Sequence, residues 1–155
     1  MNFRHRSLRL LALTATLWTV PPLFAQDTDR TLSANGVAYV SGGIGSDSRD
    51  ALAVREKEFN FKLVSTIIGT GTYVSDVAIT IADSSGKTLL RHTTQGPLFM
   101  ARLPEAAYNL SVTFRDQTQT RKFRVPPASR GRLHTEYLRW PARADDDWTL
   151  PWNAP

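Results

Sequence analysis

Residues 59–67 read Phe-Asn-Phe-Lys-Leu-Val-Ser-Thr-Ile, and from Phe59 onward the hydrophobic period is two. Phe59, Phe61, Leu63, Ser65 and Ile67 fall on one side of an extended chain, with Asn60, Lys62, Val64 and Thr66 on the other. The same rhythm returns in Val77, Ile79 and Ile81, which alternate with Ala78, Thr80 and Ala82. Asp83-Ser84-Ser85-Gly86 then supplies a hairpin turn in which Gly86 takes a positive φ.

Further strands are expected at Thr88 to Thr94, broken by Gly96-Pro97, and at Leu98 to Leu103, followed by a turn over Pro104 to Ala107. Tyr108, Leu110, Val112 and Phe114 mark the next strand. Asp116-Gln117 turns into Thr118 to Val125, Pro126-Pro127 ends it, and Leu133 to Trp140 is the last. Upstream, Val37 to Ser41 is a short strand stopped by Gly42-Gly43. Asp47 to Glu58 is the one expected helix, with Asp47 as its cap, Asp50 at the capping-box position, and Ala51, Leu52, Val54 and Arg55 as a modest face against a sheet edge. Seven or eight short strands, each bounded by turn residues, predict a mainly β, antiparallel sandwich. A parallel α/β sheet would need a crossover helix between strands, and only one helix is visible.

The segments Val77-Ala78-Ile79-Thr80-Ile81-Ala82-Asp83, Gly86, Gly96 to Pro104 and Tyr108-Asn109-Leu110-Ser111-Val112 carry a pattern of V-x-I-x-I-x-D, a glycine turn, a strand, and F-x-x-L-P-x-x-x-Y-x-L-x-V. That pattern resembles the carboxypeptidase regulatory-like domain, a transthyretin-like seven-stranded β-sandwich. The resemblance covers residues 59–126, or 37–140 once the Gly42-Gly43-Ile44-Gly45 segment and the helix are included, a layout similar to small exported bacterial proteins that carry such a domain alone. It implies a binding or structural module without catalysis. The family usually reads L-P-x-G-x-Y; here Ala106 stands where the Gly would, which implies a differently shaped turn. The fold's branch that hydrolyses 5-hydroxyisourate uses paired histidines and a Tyr-Arg-Gly-Ser end, and this sequence ends in Leu150-Pro151-Trp152-Asn153-Ala154-Pro155.

The ends of the sequence carry the address. Arg4, His5, Arg6 and Arg9 precede an apolar run from Leu10 to Val20, then Pro21-Pro22 and a small-residue site at Ala25. Residues 1–25 therefore read as a cleaved secretory signal, the run being shorter than the roughly 20 residues of a membrane span. Residues 26–36 read as a polar leader, 37–140 as the sandwich domain, and 141–155 as a loose tail. The absence of cysteine excludes thiol catalysis, disulfides and a lipoprotein anchor. A periplasmic or secreted protein is expected.

Charge must be apportioned before it is interpreted. The formal +5 includes three of the 19 Lys/Arg within the first 25 residues, which hold no acid; beyond them 16 basic residues face 14 acidic ones, a net of +2. The case for nucleic acid largely disappears with the signal. What remains is local. Arg115, Arg121, Lys122, Arg124, Arg130, Arg132, Arg139 and Arg143 crowd the final third. Charges of this kind either protect an edge strand or meet an anionic partner such as lipid headgroups or acidic polysaccharide. The candidate anionic-partner surface comprises Arg121, Lys122, Arg124, Arg130, Arg132 and Arg139. An envelope protein or glycan partner met through exposed loops or a strand edge is the other reading.

No cofactor or metal site is expected. His92 and His134 read as strand-surface histidines, and Asp145-Asp146-Asp147 as a solvated acidic run. Gly42-Gly43-Ile44-Gly45-Ser46 lacks the Lys and the parallel return strand of a phosphate loop and reads as a connector. No Gly-x-Ser-x-Gly elbow occurs. Trp140, Trp148 and Trp152 either close the end of the sandwich or stack on sugars.

Overall fold

The computed structural model describes residues 31–127 and 132–143. The signal expected at 1–25, most of the leader, Arg130, and the tail from residue 144 with Asp145 to Asp147, Trp148 and Trp152 lie outside the described residues. The described chain runs β1 (Leu32–Ala34), β2 (Val37–Gly42), α1 (Gly45–Val54), a 3-10 turn (Glu56–Glu58) and β3 (Phe61–Ile67). It continues as β4 (Ala78–Asp83), β5 (Thr88–Thr93), β6 (Leu98–Arg102), β7 (Ala106–Phe114), β8 (Gln117–Val125) and β9 (His134–Trp140). Two sheets form, in the orders β1-β2-β6-β3-β9 and β5-β4-β7-β8.

Alternation drives the layering. Phe61, Leu63 and Ile67 of β3, Phe99 and Ala101 of β6, and Val37 and Tyr39 of β2 meet Ile79, Ile81, Leu90, Tyr108, Leu110, Val112, Phe123 and Val125 of the opposite sheet in one core. This is a two-layer, mainly β sandwich, as the period of two predicts. Its two open sides are tied between layers. Asn35 Nδ2 donates to the Leu89 carbonyl at 2.8 Å on one side, and Gln119 Nε2 donates to the Arg139 carbonyl at 2.9 Å on the other.

Four expectations need correction. The described residues hold nine strands rather than seven or eight, and one pair is parallel: β9 runs alongside β3 from Phe61↔His134 to Ile67↔Trp140. Pro126-Pro127 ends β8 without a hairpin, so the chain changes sheet before pairing again. The leader is not loose from Leu32 onward. Asn35 and Gly36, at φ +49° and +77°, make a two-residue turn that pairs Ala34 with Val37, the left-handed pair of residues a type I′ hairpin requires.

The helix differs as well. It starts at Gly45 with Ile44 as N-cap and no side-chain cap, so Asp47 does not cap it. Instead Gly43, at φ +92°, turns the chain, and its amide donates to Ser48 Oγ at 2.8 Å. Nor does the helix line a sheet edge. Leu52 is its one buried residue, and it joins Phe59 over Val40, Val64, Leu98 and Met100 on the outer face of the five-stranded sheet. That explains why β6 reads as a continuous apolar run: it is central and covered on both faces.

The fourth correction is the turn before β7. The strand resumes at Ala106, inside the expected turn at 104–107, and Ala106 pairs with Val125 outside the positive-φ region, so no glycine is required there. The turn is pinned from two sides. The Tyr108 hydroxyl donates to the Pro104 carbonyl at 2.8 Å. Asn60 donates to the Leu103 carbonyl and accepts from the Leu103 amide, both at 2.8 Å.

Candidate functional site

Strand β8 is an edge strand, and its two faces carry different chemistry. Phe123 and Val125 point into the core, so Thr118, Thr120, Lys122 and Arg124 point outward. Register extends this outer face across the sheet. Arg91, Thr80, Ser111 and Thr120 form one row, Thr88, Ala82, Asn109 and Lys122 a second, and Thr93, Ala78, Thr113 and Thr118 a third. No position of these rows is Asp or Glu. Small hydroxyl, amide and methyl groups occupy the middle, while long cations stand toward the two edges.

That size difference shapes the surface. Thr80, Ala82, Asn109, Ser111 and Thr120 floor a trough of about 280 Å³, and Arg121 and Lys122 wall it along β8. Arg121 has core-side parity but reaches the rim at the sheet edge. Its guanidinium donates to the Thr120 carbonyl at 2.9 Å and to Gln119 Oε1 at 3.1 Å. Asn109 Nδ2 donates to the Asp83 carbonyl at 3.1 Å, which leaves its side-chain oxygen for the trough. Thr113 and Thr118 share a hydroxyl hydrogen bond of 2.8 Å at the far end of the face.

The basic arc continues past β8. Arg124 and Arg132 line one hollow together with Pro126, Leu133 and His134. Of the five described candidate residues, Arg121, Lys122, Arg124 and Arg132 thus follow one another along one side of the molecule. Lys122, Arg124 and Arg132 make no ion pair with a described residue. Arg139 is separate. It points off the outer face of the five-stranded sheet, beside Thr66, which also bridges to Tyr73. Arg143 ion-pairs with Asp116 at the β7–β8 turn. The sixth candidate, Arg130, lies outside the described residues.

Sequence reasoning missed the floor. Thr80, Ala82, Asn109 and Ser111 were visible only as the partners of core residues; their small size, alternating with Ile79, Ile81 and Leu110, was the available signal.

The histidines are not strand-surface residues. His92 faces the core side of β5 opposite Ile79, 4.9 Å from the Tyr39 ring and 6.0 Å from Phe99. Its Nε2 is buried without a partner, and burial lowers its pKa below the usual value. His134 stacks on Phe123 at 5.1 Å, and its Nε2 lies 2.7 Å from Glu136 Oε1. Among the described residues no three of His, Asp or Glu gather into a metal-holding group.

Other candidates resolve into structural roles. Asp83 takes the Ser85 and Lys87 amides on one carboxylate oxygen, and the Ser85 hydroxyl holds its pKa below the ordinary carboxylate value. Burial, and Asp83 nearby, raise the Tyr108 phenol. Trp140 is fully buried against Phe114, at 5.6 Å between ring centres. The glycine segment after β2 leads into α1 from a strand whose neighbours are both antiparallel, which is not a phosphate-loop setting.

No family model matches the chain, and no curated protein matches it.

Proposed function

We propose that this chain is a non-catalytic, exported binding module that holds an anionic partner along the β8 side of its sandwich. One observation carries the reading: Arg121, Lys122, Arg124 and Arg132 follow one another along that side, and the adjoining sheet face holds no carboxylate. Edge protection alone needs charge on the strand itself. It does not call for a small-residue face stretching across three further strands. Export rests on the basic-apolar pattern of residues 1–25, and membership of the carboxypeptidase regulatory-like, transthyretin-like sandwiches on the V-x-I-x-I-x-D and L-P-x-x-x-Y patterns.

The mechanism is electrostatic capture. Desolvation at an exposed face is small, so each cation contributes about 1 kcal/mol toward an anionic surface, and salt weakens the sum. Binding of the purified protein to dextran sulfate and to phosphatidylglycerol vesicles, measured at low and high salt, tests it. Salt-sensitive binding to at least one is expected, reduced about 30-fold by Lys122→Ala with Arg124→Ala and left unchanged by Arg139→Ala. Binding to neither, or equal loss with Arg139→Ala, refutes the reading.

A further inference from the structure

The shape of the trough separates two anionic surfaces that charge alone does not. A bilayer is broad and locally flat, and peripheral binding to it combines basic residues with apolar side chains that enter the headgroup boundary. The outer face of the four-stranded sheet provides the first without the second. Leu110, the one large apolar residue lining the trough, is 1% exposed and points into the core. The trough is a concavity of about 280 Å³, which a flat surface does not match in shape. No aromatic ring lines the trough, so bases have nothing on which to stack.

What the floor offers is hydroxyl chemistry. Thr80, Ser111 and Thr120 each both donate and accept, and Asn109 keeps its amide oxygen. Polyhydroxylated chains match groups of that kind. Cations stand at both edges of this face: Lys122 and Arg121 on β8 line the trough, and Arg91 on β5, outside its lining but paired with Thr80, stands three strand spacings or about 14 Å away across the sheet. Resting on the anionic-partner reading above, we infer that the trough receives an extended acidic polysaccharide. Its carboxylate or sulfate groups meet the cations at the margins, and its hydroxyls meet Thr80, Asn109, Ser111 and Thr120 on the floor.

The test separates the floor from the margins. Titrations of the purified protein use alginate, dextran sulfate, neutral dextran and phosphatidylglycerol vesicles. Thr80→Val with Ser111→Ala removes floor hydroxyls and leaves every charge in place; urea midpoints confirm that the variants fold. Binding to an acidic polysaccharide, with neutral dextran and vesicles much weaker, and about a tenfold loss in the floor variant, is expected. Vesicle binding without polysaccharide binding overturns this inference and leaves the anionic-partner reading standing. The same holds if Lys122→Ala with Arg124→Ala abolishes binding while the floor variant binds as before. Binding to none of the four ligands overturns both.

Discussion

Gly96 sits where two backbones nearly touch, and Gly96→Ala tests that approach. A Cβ built on Gly96 would lie 2.1 Å from the Gly42 carbonyl oxygen, 2.4 Å from its carbon and 3.0 Å from Gly42 Cα. The obstacle is main chain, so no side chain can rotate away. Even the tightest real contact would require the two segments to part by about 0.9 Å. That movement falls at the end of the β2–β6 pairing, Gly42↔Leu98, and on the 2.9 Å bond from the Gln95 amide to buried Ser41 Oγ. Overpacking costs about 1–3 kcal/mol, and the strained hydrogen bond about 1 kcal/mol more. The sum, about 2–4 kcal/mol, is a large part of the 5–15 kcal/mol typical of a domain. With a urea m-value near 2 kcal/mol/M the midpoint falls by about 1–2 M. Gly71→Ala is the control: it meets open space but sits at φ +69°, so about 1 kcal/mol is expected from backbone strain alone. A Gly96→Ala protein as stable as the parent, or more stable than Gly71→Ala, would refute the close approach.

Leu52→Ala removes the one helix side chain buried on the five-stranded sheet and should cost about 2–5 kcal/mol, read as a lower urea midpoint with early loss of helical circular dichroism. Tyr108→Phe deletes the bond to the Pro104 carbonyl and should cost about 1 kcal/mol, whereas a change within 0.3 kcal/mol would mean the turn holds without it. Because burial lowers the His92 pKa in the folded state, the unfolded chain binds its proton first as pH falls. The stability His92 contributes is therefore complete above its unfolded value of 6.5 and is lost progressively below it, until the folded pKa is passed. Urea midpoints from pH 8 to 5 should show that decline in the parent and a shallower one in His92→Gln.

The layers were legible because burial imposes period two. Ile79, Ile81, Tyr108, Leu110 and Val112 turn inward where alternation puts them. Three features were not. The parallel β3–β9 pair depends on where the chain re-enters a sheet after Pro126-Pro127, which no local pattern encodes. The start of α1 followed Gly43 and its positive φ in place of an Asp cap. The Asn35-Gly36 hairpin carried a recognisable turn dipeptide, yet the strand before it, β1, is only three residues long and lies in a polar stretch. The basic residues showed the same division. Their crowding was visible in one dimension, but Arg139 parts from Lys122 and Arg124 because β8 and β9 belong to different sheets and face opposite ways.

The asymmetry between the two outer faces explains why one of them is available to bind. On the five-stranded sheet, Val40, Val64, Leu98 and Met100 are apolar and would be costly to leave in water, so Leu52 and Phe59 cover them. On the four-stranded sheet the outward positions are Thr, Ser, Ala, Asn and cations, which water solvates well, and no described element lies over them. A face that needs no cover for stability is free to evolve for contact. The threonines serve both ends: β-branching suits the strand, and the hydroxyl keeps the surface polar without filling it. Larger residues at Thr80, Ala82 and Ser111 would keep the core intact and close the trough. Their small size is therefore a property that the packing of the core does not demand and that the proposed ligand across the sheet would use.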